Sequence, residues 1–514
     1  MVSQSSYVIC PKCKHDRNAL TAKKCEICGH RLGKGAGVLP MAGVGLGILA
    51  LAGAGYVGFK AMSSNKAADA SPTPSNSAVA SSTASSSGQP QAMTGDVSAF
   101  ISRGEKVLFT DVPSPDKQSA AAAIAAGDMQ TAISKLEAAR QSSRNDPETL
   151  IYLNNARLGQ AATLNVAAVV PATSSPSSAR EILRGVAQAQ DEAIRSGVPF
   201  KIVIADDNND PNRAVAIANA LVQDNSVLAV IGHGTSKTTL AAAPIYQQHQ
   251  MVMIAPTSTS TELAQIPRGA GGNFIFRTIA SDQFTGTTLA RHMLSTGKRR
   301  AAVFYNSASS YSKSLQQAFA TTLSLEGGEV VQEIDLAQGN AAAQLSGSKA
   351  DAIVLLPDAE TLTQALEVAK TNANRLPLLA GDAFYRIESL QQGGQALNGL
   401  ILPVQWHPLK SSNPQFAQAG SNLWGGDVNW RSAMGYDALQ TLRAARSVGN
   451  ISPTSGVQGR TALAQALSGS NFTANGATEA IRFLPSGDRN GTIVLVKVQP
   501  GSRSGTGYDF VPLK

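Results

Sequence analysis

The stretch Val227–Leu263, VLAVIGHGTSKTTLAAAPIYQQHQMVMIAPTSTSTEL, decides how the rest of the chain is read. Two short apolar runs, VLAVIG (227–232) and MVMIA (251–255), each end in a loop crowded with hydroxyls, and a helix-length segment lies between them. Strands that are apolar at nearly every position are buried on both faces, the mark of a parallel sheet covered by helices. Moving outward, the same texture repeats in LNVAAVV (164–170), FKIVIA (200–205), AAVFYN (301–306), AIVLLP (352–357), LPLLAG (376–381) and GLILPV (399–404). Amphipathic helices such as Ala179–Ser196 and Asn212–Gln223 fill the gaps. The segment 163–514 is thus an α/β domain, and its length predicts two lobes.

In such sheets a ligand sits beyond the C-terminal ends of the strands. Four loops qualify. Gly232–Leu240 (GHGTSKTTL) looks at first like a phosphate loop, but that motif ending at Lys237 needs glycine at 231 and 236, where Ile231 and Ser236 stand. What remains is a helix N-terminus with hydroxyls, suited to one carboxylate. Pro256–Thr261 (PTSTST) is a second hydroxyl cluster, and helix capping accounts for part of both. The third loop, Asn306–Tyr311, offers an aromatic, and the fourth, Gly381-Asp382, a carboxylate. Hydroxyls on one side, with an aromatic and an acid on the other, match a zwitterion.

The remainder of the 514 residues is built differently. Hydrophobic residues make up 43% and charged residues 15%, which excludes wholesale disorder, and four cysteines exclude a disulfide scaffold. The net charge of +8 suggests nucleic acid until it is located: residues 1–62 hold +6 and the remaining 452 hold +2. A near-neutral body predicts no nucleic acid partner for residues 60–514.

All four cysteines lie in two C-x2-C knuckles, Cys10/Cys13 and Cys25/Cys28, with spacing that resembles a zinc ribbon over residues 7–31. Four thiolates close tetrahedrally on a structural Zn2+, whose binding would fold a segment too short to fold unaided. His15 and His30 are alternative ligands, and free-thiol or disulfide CxxC pairs are the alternative chemistry.

Val38–Phe59 (VLPMAGVGLGILALAGAGYVGF) carries no charge, and as a helix it reaches about 33 Å, enough to cross a bilayer. Seven Lys/Arg precede it and Lys60 follows closely, so the positive-inside rule predicts a cytoplasmic ribbon and an extracytoplasmic body on the plasma (inner) membrane. The expected order is a zinc ribbon (1–36), a transmembrane helix (37–60), a Ser/Ala/Pro tether (61–95), a helical segment (96–162) and the two-lobed domain (163–514). In the helical segment, periodicity runs through 117–140 and restarts at Asp146-Pro147 through Leu158. It is similar to part of a tetratricopeptide repeat array and is read as a helical hairpin, with a peptide-binding repeat as the sharper alternative.

Residues 163–514 resemble the type I periplasmic binding proteins, in their leucine/isoleucine/valine-binding branch. The likeness runs through ILRGVAQAQDEA, the Val227–Leu263 stretch, FIFRT, SSYSKSLQQAF and GYDALQTL. It implies a ligand carboxylate held by Ser236, Thr257 and Thr259, a closing Tyr311, and Asp382 on the ligand ammonium. The aromatic expected after AIVLLP is replaced by Pro357-Asp358, which opens the site to polar or basic ligands. Thr235 stands where the family often has cysteine. The resemblance implies delivery of an amino acid or related small polar ligand to an ABC-type permease. The alternative is a ligand-sensing receptor that uses the ribbon as its cytoplasmic contact. An enzyme is not expected, since no G-x-S-x-G, intact phosphate loop or H-E-x-x-H occurs and the body's histidines are scattered.

Overall fold

The computed structural model describes residues 96–514, apart from 270, 346, 490 and 514, and the backbone of two short strands nearer the N-terminus. Those strands, β1 (Tyr7–Val8) and β2 (Asn18–Ala19), pair antiparallel within a unit spanning Met1–Gln89. The four cysteines, the apolar span 38–59 and the tether lie outside the described residues. Among the described residues no helix is long and apolar enough to cross a membrane.

The second unit, Pro90–Lys514, holds everything else. It begins with β3 (Ile101–Ser102), α1 (Pro115–Ala125), α2 (Met129–Ser142) and α3 (Pro147–Leu158). There follow β4 (Leu164–Val170), α4 (Pro176–Arg195), β5 (Phe200–Asp206), α5 (Pro211–Gln223), β6 (Val227–Ile231), α6 (Ser236–Gln248), β7 (Val252–Ala255) and β8 (Ile275–Arg277). These strands form one sheet in the order β3-β5-β4-β6-β7-β8, parallel except for β3 at the edge. The second sheet draws on β9 (Arg300–Tyr305), β10 (Glu329–Asp335), β11 (Ala352–Leu356), β12 (Leu378–Ala380), β13 (Ile401–Val404), β14 (Val494–Pro500) and β15 (Tyr508–Pro512). Its order is β10-β9-β11-β12-β13-β14-β15, with the last two strands antiparallel. Around it lie α7 (Asp282–Ser295), α8 (Ser310–Leu325), α9 (Leu362–Asn372) and α10 (Ile387–Gly393). Then α11 (Pro414–Trp424), α12 (Trp430–Val448) and α13 (Gly456–Ser468) return to the first lobe before the chain re-enters the second at β14.

The central strands β4, β6, β7 and β11 are almost wholly buried, which is why they read as continuous apolar runs. Helices start where the sequence supplies caps. Asp210 accepts from the Asn212 N–H ahead of Pro211, and Thr235 and Ser309 accept from the Thr238 and Ser312 N–H groups. The first lobe is closed by α12 lying against α4. Their approach is so tight that a Cβ at Gly185 would sit 1.9 Å from the Ser432 carbonyl oxygen.

The segment before the two-lobed domain forms three helices that dock on the first lobe through α3. All of Pro147–Ala156 in α3 is buried, and Ile151 and Tyr152 join the core cluster of the first lobe. Asn155 both donates to the Ile202 carbonyl (2.8 Å) and accepts from its N–H (3.1 Å), tying α3 to β5. Lys117 of α1, buried, bridges Asp146 (2.7 Å) and Glu148 (2.8 Å) at the start of α3. Residues 96–162 and 163–513 share one compact unit, in which α3 lies against α4 and β5, α2 packs on α3 and α1 on α2.

Three crossings join the lobes, near 278–281, 405–413 and 484–493. They are tied together by buried arginines. Arg489 pairs with Asp437 (2.6 Å) and donates to the Thr278 carbonyl (3.2 Å), while Arg277 pairs with Asp488 (2.6 Å) and donates to the Ser260 carbonyl (2.8 Å). Rotation of the lobes must pass through these strands of chain, so the arginines define the pivot.

Candidate functional site

A cavity of about 270 Å³ lies between the lobes, beyond the C-terminal ends of β4, β6, β9 and β11, near the small end of the usual range for ligand pockets. Of the predicted residues, Ser236, Thr257, Tyr311, Asp358 and Asp382 all line it. Thr259 does not. It is fully buried behind the cavity wall, its hydroxyl without a partner.

On the first lobe, β6 ends in GHGT and α6 begins at Ser236, so the first free N–H groups of that helix face the cleft. The Ser236 hydroxyl accepts from the Ser260 N–H and from the Ser258 hydroxyl, both at 3.3 Å, which leaves its proton for a ligand. Thr257 donates to the Gly234 carbonyl (2.9 Å), fixing the two hydroxyl loops against each other. The Thr235 hydroxyl donates to Asn209 (2.7 Å) as well as capping α6. His233 is fully buried, with Nδ1 2.8 Å from Asp207 and Nε2 3.2 Å from the Tyr246 hydroxyl.

The second lobe brings charge. The Tyr311 hydroxyl donates to Asp382 Oδ1 (2.6 Å) and accepts from the Ala383 N–H (3.2 Å). This contact needs glycine at 381, where a Cβ would lie 2.5 Å from the Tyr311 oxygen. Burial raises the Asp382 carboxyl above the ordinary range, opposed by the Tyr311 hydrogen bond and the Arg431 cation. Asp382 thus sits in the cleft as an acid whose ionised form gains from a cationic partner. Beneath it is Asp282, at the start of α7. Burial, with some help from the Asp382 charge, pushes Asp282 up to about 7, against the Ser314 and Thr259 hydroxyls and Arg277. Neither Asp282 oxygen has a partner in hydrogen-bonding geometry.

Asp358 faces the cavity but is already committed. Oδ1 accepts from the N–H groups of Glu360 and Thr361 (both 3.1 Å) and from the Thr361 hydroxyl (2.9 Å), and Oδ2 accepts from the Asn306 amide (2.9 Å). Oδ1 organises the turn into α9, and Oδ2, with a single hydrogen bond, is the oxygen with capacity left for a ligand.

Sequence reasoning missed Arg386 and Arg431. Arg386 donates to the Ser178 hydroxyl (2.9 Å), and Arg431 donates to the Tyr385 carbonyl (2.7 Å) and lies 4.2 Å over the Trp430 ring. Both contacts join the lobes. Of the three tryptophans, Trp430 lines the cavity, Trp406 packs edge-on against Phe416, and Trp424 lies under Arg140. Neither arginine stands in a motif; a cation just after Asp382 and one at the start of α12 were the available signals.

Residues 163–503 match the family model described as Periplasmic binding protein. The Leu/Ile/Val-binding protein of Escherichia coli is 26% identical over 257 residues, covering 48% of this chain and 68% of that protein. An amino acid binding protein of Pseudomonas aeruginosa is 29% identical over 160 residues, 30% of this chain, and the match spans less than half of that relative's length, 42%. Among solved structures, the leucine binding protein LivK of Thermotoga maritima superposes with a TM-score of 0.60 at 26% identity, covering 68% of this chain and 98% of the other. All three are named as binding proteins and none as an enzyme. With two lobes, a cleft at the strand ends and a family match over most of its length, the chain belongs to the periplasmic binding proteins.

Proposed function

We propose that the cleft captures an amino acid or closely related zwitterion and presents it, in the closed form, to an ABC-type permease. The observation that carries this is the division of labour across the cavity. Ser236 and the N-terminus of α6, held in place by the Thr257 hydroxyl on the Gly234 carbonyl, offer donors to a carboxylate, and Asp382, oriented by Tyr311, faces them with a carboxylate for an ammonium. Each end of the ligand meets its complement in a site shielded from water, where charge-assisted hydrogen bonds are strongest. The binding named for the relatives from Escherichia coli, Pseudomonas aeruginosa and Thermotoga maritima supports the same ligand class.

The apolar span 38–59 supports anchoring by one helix with the cleft outside the cytoplasm, and the spacing of Cys10, Cys13, Cys25 and Cys28 supports a structural Zn2+ on the other side. The antiparallel pairing of β1 and β2, whose connection contains the first knuckle, is in keeping with a ribbon. That module favours a second reading, a ligand-sensing receptor, because delivery to a permease needs no cytoplasmic metal domain.

The test is calorimetric titration of the full-length protein, refolded to strip carried ligand, against the common α-amino acids. Binding at micromolar concentration or tighter to one class supports the proposal, and silence across the panel refutes it. Deleting residues 1–36 while keeping the span separates the two roles: uptake unchanged with every ligand response kept supports delivery alone, and a lost response supports sensing.

A further inference from the structure

Beneath the cleft the protein encloses an acid that takes no part in holding the ligand. Asp282, the first residue of α7, is fully buried, and among the described residues neither of its oxygens has a hydrogen-bond partner. It sits where the lobes meet. Its own N–H donates to the Thr259 carbonyl of the first lobe (2.8 Å), and the Thr261 N–H donates to the Ser314 hydroxyl of the second (2.9 Å). The groups that face it are Thr259 after β7, Arg277 of β8, Tyr311 and Ser314 of α8, and Asp382 after β12. Arg277, the cation among them, directs Nε to Asp488 (2.6 Å) and Nη1 to the Ser260 carbonyl (2.8 Å) and makes no ion pair with Asp282. An enclosed carboxylate without donor or counter-charge is costly, so burial opposes its ionisation.

Asp382 couples this acid to the ligand. Burial first, and then the Asp382 charge, push the Asp282 carboxyl up to about 7, against the Ser314 and Thr259 hydroxyls and Arg277. Tyr311, which donates to Asp382 Oδ1 (2.6 Å), does not titrate in this range, because burial and the charges of Asp382 and Asp282 hold its hydroxyl well above the usual phenol range. A ligand ammonium on Asp382 acts twice with one sign. It offsets the Asp382 charge that opposes ionisation of Asp282, and it brings a positive charge near a carboxyl that has no ion-pair partner. Both effects favour the ionised form of Asp282.

Resting on the amino-acid reading above, we infer that Asp282 makes capture proton-linked: seating the ligand ammonium on Asp382 drives a proton from Asp282 into the buffer, and acidification weakens the hold on the ligand. A complex that forms with loss of a proton tightens as pH rises. Ionisation eased about tenfold by the bound ammonium, the effect of one nearby charge, releases about half a proton per ligand near pH 7 and makes affinity about fivefold higher at pH 8 than at pH 6.

The experiment titrates the refolded full-length protein calorimetrically with L-leucine, L-glutamine, L-glutamate and L-lysine at pH 7, in phosphate and again in Tris, whose heats of ionisation differ. The difference in binding heat counts the protons exchanged. For whichever ligand binds, about half a proton is expected to leave the wild type and none the near-isosteric Asp282→Asn, whose affinity stays within about twofold from pH 6 to pH 8. Binding by the wild type without proton release, or with proton uptake, overturns the inference even if the variant does not fold. Release that persists in a variant with an unchanged circular dichroism spectrum assigns the proton to another group and overturns it as well. The amino-acid reading survives each of these outcomes, since the ligand is bound. No binding to any of the four, nor to the wider panel, overturns both.

Discussion

The two lobes contribute opposite kinds of chemistry to one cavity. The first lobe, around Ser236 and Thr257, supplies neutral donors: hydroxyls cross-linked to each other and the open N–H groups of α6. The second supplies Tyr311, Asp382 and Arg386, and Arg431 reaches in from the start of α12 to the Tyr385 carbonyl. Neutral donors can be preorganised without a ligand because water and neighbouring hydroxyls satisfy them cheaply. Buried charges cannot, and they gain most when a ligand arrives and the lobes close. The difference predicts that affinity and selectivity reside mainly in the second lobe, while the first provides an anchoring point common to all amino acids.

The largest expected effect is on Asp382. Asp382→Ala leaves the ammonium unpaired in a dry cleft and is expected to weaken amino-acid binding about a hundredfold, at an unchanged circular dichroism spectrum. Retained affinity by calorimetry would break the assignment of charge to the second lobe.

Next is Asp282, beneath the cleft. Its carboxyl is raised from 3.8 to about 7, so its contribution to stability is full below pH about 4 and is lost as pH rises through 7. Asp282→Asn is therefore expected to be more stable than the parent at pH 8, by on the order of 2 kcal/mol, with the gap closing as pH falls toward 5. His407 titrates in the opposite sense. Burial lowers it to about 4, so its contribution is lost as pH falls from 6.5 through 4. Because both proteins carry His407, the difference in their melting temperatures across pH isolates Asp282. A gap independent of pH would show that this acid is already neutral or well solvated.

Ser236→Ala on the neutral side is expected to cost about 1 kcal/mol of binding, roughly fivefold, for every ligand bound. A loss as large as that of Asp382→Ala would erase the contrast between the lobes. The smallest binding effect belongs to Asp358→Ala, expected to change affinity less than about twofold while lowering stability by about 1 kcal/mol through the turn into α9. A change in which ligand is preferred would restore Asp358 as a selectivity residue.

How much could be read beforehand follows from how local each feature is. The buried parallel strands were legible because burial on both faces leaves a mark at every residue: VLAVI and AIVLL sit where the sequence places them. Edge and antiparallel strands were not. The β10 run EVVQEID is mostly half-buried and carries charge, and β14 buries alternate residues, so neither resembles a continuous apolar run. In α3, PETLIYLNNARL shows little amphipathic pattern because it is covered on nearly all sides, and its membership of the first lobe depends on Asn155 reaching β5. The loops that carry Ser236, Thr257, Tyr311 and Asp382 were found from position, since loops after strands converge in this architecture, and the family resemblance picked out the residues within them. Thr259, two residues beyond Thr257, turned inward.

Strand period, loop chemistry and the location of basic residues are properties of neighbouring residues, and from them the sequence by itself determined a two-lobed α/β domain with a cleft at the strand ends. Tertiary structure alone decided which charges remain available there. Asp358 and Asp382 look equivalent in sequence, yet Asp358 already accepts four hydrogen bonds, from Asn306, Glu360 and Thr361, while Asp382 accepts one from a side chain, that of Tyr311. Arg386 and Arg431 lie 45 positions apart and meet at one wall of the cavity. Hydrogen-bond saturation and charge balance are sums over everything nearby in space, and no local stretch of chain contains those sums.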